Sequence, residues 1–198
     1  MPSPSHDEVP VFSDLELADR QVLVDIARHA VRAGLNGRND WRPARDHVPI
    51  RLAECGATFV TLRRENDLLG CIGTMEPRRS LADDVAKNSI GAAFGDPRLP
   101  PVTWDDYAHM SVKISVLSPL VQIAVASGGE LRRSVRVGVD GLLITAGRRR
   151  ATFLPSVWEQ VPDHDMFMRM LWEKAGLDAG DWPRTLEVFR YETVEFGD

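Results

Sequence analysis

The stretch Leu68-Leu69-Gly70-Cys71-Ile72-Gly73-Thr74 decides how this chain is read. It follows a polar, turn-like Arg63 to Asp67, and before that comes Ala57-Thr58-Phe59-Val60-Thr61-Leu62. Two runs of strand-forming residues around a polar turn predict a β-hairpin. Alternation along the second strand puts Leu69, Cys71 and Gly73 on one face and Gly70, Ile72 and Thr74 on the other. Glycines inside a strand give up packing and mark a bulge or a close backbone approach. Cys71 between two glycines is sterically open, which makes it the candidate nucleophile, with Gly70, Gly73 and Thr74 shaping the approach to it. Nucleophilic thiolate needs a base or a positive environment. His29, His47 or His109 could supply the base, but spacing places none of them beside Cys71. The plainer role for a single cysteine is a small buried hydrophobe.

Outward from the hairpin, the pattern alternates between helix and strand. Ser13 with Glu16 reads as a capping box and Phe12 with Leu17 as a hydrophobic staple, opening a helix over 14–33 that Gly34 stops. Residues 35–55 read as a long loop with a short helix near Pro43 to His47. Ser80 caps a second helix whose inward stripe is Leu81, Val85, Ser89 and Ala92, closed by Gly95. Trp104 to Tyr107 is a helical turn, and Met110 to Ser118 is the clearest strand. Val121 to Val125 is a weaker strand and Ala126 to Arg136 a polar connection. Val137 to Thr145 and Ala151 to Leu154 form a hairpin through residues 146–150. A helix follows over 162–175, with Met166, Phe167, Met170 and Leu171 inward, and then one final strand over 185–196. This order predicts an α+β fold with mainly antiparallel sheets flanked by helices, without serial βαβ units.

Composition narrows the class. The 198 residues are 43% hydrophobic and 27% charged, ordinary for a globular protein. That length fits one domain or two lobes sharing a core. A net charge of −5 argues against generic nucleic-acid binding. The only basic concentration is Arg132, Arg133, Arg136 and Arg148 to Arg150; it lacks interleaved aromatics and reads as a solvated tip, with Asp140 among those solvated charges. Two cysteines, Cys55 and Cys71, make neither a disulfide framework nor a four-ligand zinc site, and they fit a reducing cytoplasm. No apolar run is long enough to span a membrane. Residues 1–12 read as a disordered lead-in and 13–197 as the domain.

Other motifs are weaker. The chain has no P-loop, no three-glycine dinucleotide pattern and no Gly-x-Ser-x-Gly elbow. Asp163-His164-Asp165 looks like a metal group, but consecutive helical residues do not converge, so no metal and no cofactor are expected. Asp96 and Arg98 flank Pro97 just after a helix ends. A guanidinium there suits a carboxylate or phosphate ligand, and equally suits an internal bridge between loops.

Six segments in order resemble the AMMECR domain family. The family hallmark reads Leu-Arg-Gly-Cys-Ile-Gly, which residues 68–73 match except that Leu69 stands in place of the arginine. Gly56 to Leu62 resembles the strand before it. Ala92 to Pro101 resembles the family's Asp-x-Arg-Phe-Pro-Pro segment, with Leu99 for the aromatic. Ser111 to Ser118, Gly138 to Gly141 and Thr152 to Trp158 also match. The resemblance implies a two-lobed α+β domain with an inter-lobe cleft into which the hallmark side chains point. It implies Cys71 as the candidate catalytic residue and Gly70, Gly73, Thr74, Asp96, Arg98 and Thr152 as candidate substrate-binding residues. Bacterial and archaeal members are associated with a Memo-like protein and a radical S-adenosylmethionine protein, which implies a modification pathway acting on a protein or sizeable metabolite. The family has no settled activity, so an adaptor docking a Memo-like partner is the alternative.

Overall fold

The computed structural model describes residues 12–178 and 180–198. In chain order the elements are α1 (Leu17–Leu35), β1 (Cys55–Gly56), β2 (Thr58–Arg64), β3 (Asp67–Gly73), β4 (Arg79–Ser80), α2 (Leu81–Phe94), α3 (Trp104–His109), β5 (Met110–Leu117), β6 (Val121–Gln122), α4 (Gly128–Ser134), β7 (Gly141–Ala146), β8 (Arg149–Phe153), α5 (His164–Lys174), β9 (Leu186–Tyr191) and β10 (Thr193–Gly197). Short 3₁₀ turns occupy Arg45–His47, Ile50–Ala53 and Pro155–Glu159. The fold is α+β, and the pairs β1–β4, β2–β3, β2–β5, β6–β9, β7–β8 and β7–β9 are antiparallel.

The chain divides into two compact units. The first holds the described residues up to Ser118 together with Val194–Asp198. Its four-stranded sheet runs β10-β5-β2-β3, so the hallmark strand β3 is an edge. Thr61 faces Cys71 on one side of β2 and Lys113 on the other. Helix α2 covers the sheet because its buried stripe Leu81, Val85, Ser89 and Ala92 recurs at helical spacing. Ser80 caps it by accepting the Asp83 N–H at 3.1 Å. Helix α1 adds Leu23, Ala27, Ala30 and Val31 to the same core. The end of the chain is tied in by Arg28, whose guanidinium reaches the Asp198 carboxylate and the Met110 carbonyl.

The second unit, Pro119–Thr193, has a sheet of order β6-β9-β7-β8. Its core gathers Leu142, Ile144, Trp158, Phe167, Leu171 and Val188. The rings of Trp158 and Phe167 stack with centroids 3.6 Å apart.

Several local expectations need correction. Phe12 is buried in the first core, so residue 12 belongs to the fold; the rest of the expected lead-in lies outside the described residues. Helix α1 starts at Leu17 after Glu16, without the Ser13 cap, and Leu17 is 83% exposed, so there is no staple against Phe12. The helix passes Gly34 and ends at Leu35, because Gly34 meets the Phe94 ring and Gly37 takes the left-handed turn. The 126–136 connection contains α4, capped by Ser127 accepting the Glu130 N–H. Met166 and Met170 are largely exposed; Phe167, Leu171 and Trp172 face the core instead. The final strand is two: β9 pairs in the second unit's sheet, and β10 joins the first unit's sheet after Glu192.

Candidate functional site

The edge position of β3 leaves the outward backbone groups of Cys71 without a strand partner. Side chains from the turn after α2 take that role. The Asp96 carboxylate accepts the Cys71 N–H at 3.0 Å, and Arg98 Nη2 donates to the Cys71 carbonyl at 3.3 Å. Arg98 also grips Asp96 in fork geometry, Nε to Oδ1 at 2.8 Å and Nη2 to Oδ2 at 2.6 Å. The Arg98 N–H adds a bond to Oδ1 at 3.1 Å. Asp96 is thus a buried carboxylate with every approach filled by a donor. The Arg98 hydrogen bonds hold its carboxyl well below the usual range; burial opposes this, and the Cys71 and Arg98 backbone donors reinforce it. The same bond to Asp96 raises the guanidinium of Arg98.

Cys71 is half-buried. Its Sγ accepts a hydrogen bond from the Thr61 hydroxyl at 3.3 Å, across the strand pair. The described histidines are engaged elsewhere. His29 stacks near Trp41 and bonds the Asp25 carbonyl, and His109 bonds the Asp105 carbonyl. His47 lies beside Asp46, and His164 packs on Trp158. The arrangement presents a thiol and a fixed cation, but places no imidazole on that thiol.

The remaining candidates go to structural contacts. A Cβ at position 70 would lie 1.8 Å from the Ala92 carbonyl oxygen, so Gly70 lets β3 lie directly against α2. Gly73 faces the Phe59 ring, which a Cβ would meet at 2.2 Å. The Thr74 hydroxyl donates to the Asp84 carboxylate at 2.7 Å. Asp84 is fully buried and also accepts from Thr58 N, Thr58 Oγ1 and Asn88 Nδ2, and pairs with Arg79 at 2.6 Å. Thr152 belongs to the second unit, where its hydroxyl bonds the Leu142 carbonyl at 2.8 Å and lies 2.6 Å from the Tyr191 hydroxyl. Burial raises the pKa of that phenol, which the Thr152 contact partly offsets. Of the candidate residues, the structure brings together Cys71, Asp96 and Arg98.

Two polar clusters escaped the sequence reading. The Asp84 network is one; an acid in a helix's first turn reads as a solvated dipole partner. Asp140 is the other. It is fully buried, not solvated, with Arg136 on its carboxylate and the Trp158 indole N–H on its carbonyl. Arg136 also meets Glu192, and Arg132 pairs with Asp165. In Asp163-His164-Asp165, Asp163 caps α5 by accepting the Met166 N–H. Among the described residues no group of three or more histidines, cysteines or acids is arranged to hold a metal ion, and no helix is long and apolar enough to cross a membrane.

A model of the AMMECR1 family matches residues 24–196, a span that includes the hallmark strand, the Asp96–Arg98 turn and strands of both four-stranded sheets. The chain belongs to the AMMECR1 family. A relative from Methanothermobacter thermautotrophicus is 36% identical over 188 residues, covering 93% of this chain and 97% of its own. The protein TK0174 of Thermococcus kodakarensis is 35% identical over 188 residues, covering 89% and 88%. The crystal structure of the uncharacterized protein PH0010 from Pyrococcus horikoshii superposes with a TM-score of 0.86 at 31% identity, covering 93% of each chain. These AMMECR1-family similarities establish the fold and leave the biochemical function unestablished. Leu69, which replaces the hallmark arginine here, packs against the first unit's core.

Proposed function

We propose that this chain is a recognition component of a modification pathway, engaging an anionic group on a protein or sizeable metabolite at the face where Arg98 lies beside Cys71. One observation carries the reading. The Arg98 side chain is 62% exposed, yet it is pinned by a carboxylate that is 2% exposed. Its Nη1 has no partner among the described residues and remains open to a ligand. A guanidinium already held in place loses little side-chain freedom on meeting an anion, and its Nη1 group still offers donors to a carboxylate or phosphate oxygen. With Leu69 turned to the core, Arg98 supplies the cation at this strand. Among the described residues the Cys71 thiol has a threonine hydroxyl and no base beside it, which supports recognition ahead of covalent chemistry.

The partner to test is the Memo-like protein with which bacterial and archaeal relatives are associated. Calorimetric titration of the purified partner into this chain is expected to show binding that Arg98→Gln weakens about tenfold or more, the size of a lost charge-assisted contact. Cys71→Ser is expected to bind within about twofold of the parent chain. Loss of binding in Cys71→Ser with Arg98→Gln intact would move the reading to thiol chemistry. No binding by the parent chain would remove this partner.

A further inference from the structure

The second unit contains a cavity of about 610 Å³ between α4, α5 and the segment reaching Trp182. That volume falls in the range of small-molecule sites, roughly 300–1,000 Å³. None of the residues singled out from the family resemblance lines it. Its apolar wall combines Leu131, Met168 and the paired indoles of Trp172 and Trp182, whose rings are 5.8 Å apart and inclined by 24°. Trp172 is fixed by its indole N–H, which donates to the Asp181 carbonyl at 2.7 Å. A flat, rigid apolar surface of this kind suits an aromatic body.

The polar groups at the cavity are unequal. Asp163 is committed to the α5 cap, and both Asp165 carboxylate oxygens accept from Arg132 Nη1, at 3.0 and 2.9 Å. Arg169 has no carboxylate among the described residues. Its Nη2 rests 2.8 Å from the Met166 thioether sulfur, a weak acceptor. Both acids therefore have their own donors, while one cavity cation lacks an anion. We propose that this cavity is a binding site for a small aromatic carboxylate, the ring against Trp172 and Trp182 and the carboxylate on Arg169. The two methionines beside that position adapt to ring shape, since thioether side chains repack readily.

The test is an NMR titration of the full ¹⁵N-labelled chain with 2-naphthoate, and in parallel with the isosteric neutral 2-naphthamide. Trp182→Phe assigns its indole signal among the five tryptophans. Saturable shifts at the Trp172 and Trp182 indole N–H signals are expected, with 2-naphthoate binding about tenfold or more tightly than the amide. Arg169 is exposed, so Arg169→Gln is expected to fold normally and to abolish the preference for the acid while leaving amide binding unchanged. Absence of saturable shifts up to about 5 mM, a range that still detects weak binding, overturns the site. Equal binding of acid and amide, or a preference for the acid that survives Arg169→Gln, overturns the assigned role of Arg169 and with it the ligand class.

Discussion

Asp84→Ala is expected to destabilise the first unit by about 3 kcal/mol. The buried carboxylate is the common acceptor for Thr58, Thr74, Asn88 and Arg79, so its removal leaves several donors unanswered in a region closed to water. Breaking a buried ion pair costs about 3–5 kcal/mol when the abandoned charge stays buried. The Arg79 side chain is 24% exposed and can turn to water, which places the cost at the low end. Hydrogen exchange at β2 and β5 amides reads this loss separately from the second unit. Asp84→Asn keeps one acceptor oxygen and is expected to fall between parent and Asp84→Ala. A loss below about 1 kcal/mol for Asp84→Ala, the scale of one ordinary hydrogen bond, would contradict the network's role.

Gly70→Ala is expected to cost about 3 kcal/mol, the top of the usual range for overpacking. The methyl group would lie 1.8 Å from the Ala92 carbonyl oxygen and 2.7 Å from its carbon. Both are backbone atoms, so no rotamer change relieves the clash, and α2 must shift off β3. That shift also loosens the Ile72 contact with Gly91, where a Cβ would already be tight at 3.1 Å. Gly129→Ala is the control, since its added Cβ meets only the end of Arg133 at 3.7 Å. It is expected to be neutral or to stabilise by up to about 1 kcal/mol, because Gly129 lies in α4 and alanine is the better helix former. Thermal unfolding followed at amides of the unit that carries each substitution compares the two. Equal effects would mean that close packing at position 70 is not what the glycine serves.

The parts legible in the sequence were those governed by local periodicity. The hairpin of β2 and β3, the α2 stripe with its Ser80 cap, and the alternating β5 all follow from spacing alone. Alternation also placed Cys71 opposite Gly70 and Ile72 correctly, since those two face α2. Long-range pairing was not legible. The last strand read as one because Leu186 to Phe196 stays strand-like throughout; only tertiary pairing divides it at Glu192 between two sheets. Helix α4 was hidden by Gly128-Gly129, poor helix formers that its Ser127 cap and tertiary packing override.

The site was legible in part for the same reason. Asp96 and Arg98 stood out as a charged pair on a proline turn, but whether they held a ligand or bridged loops was open. The structure shows that they bridge to Cys71 and leave the guanidinium exposed. Thr74, Gly70 and Gly73 were marked by their neighbourhood to Cys71, but Gly70 and Thr74 lie on the opposite face, and Gly73, on the same face, is covered by the Phe59 ring. Asp84 went unnoticed and Asp140 read as solvated because a buried acid looks like a solvated one until its partners, 26 residues from Asp84 in the case of Thr58, are folded against it.

The most direct test of an anion-recognising face beside Cys71 is its alkylation by iodoacetate compared with iodoacetamide. Cys55 is exposed and is replaced by serine so that Cys71 alone reports. The two rate constants are taken as a ratio and normalised to a short cysteine peptide, which removes the intrinsic difference between the reagents. A guanidinium a few ångströms away attracts a unit negative charge by about 1 kcal/mol even at the dielectric of water, a rate factor of roughly five. Asp96 offsets part of that charge, so the normalised ratio is expected above one but below about five at low salt, to shrink at high salt, and to fall to about one or below in Arg98→Gln, which leaves the Asp96 carboxylate unpaired. A ratio of about one in the parent protein, or a raised ratio unchanged by Arg98→Gln, would contradict the account.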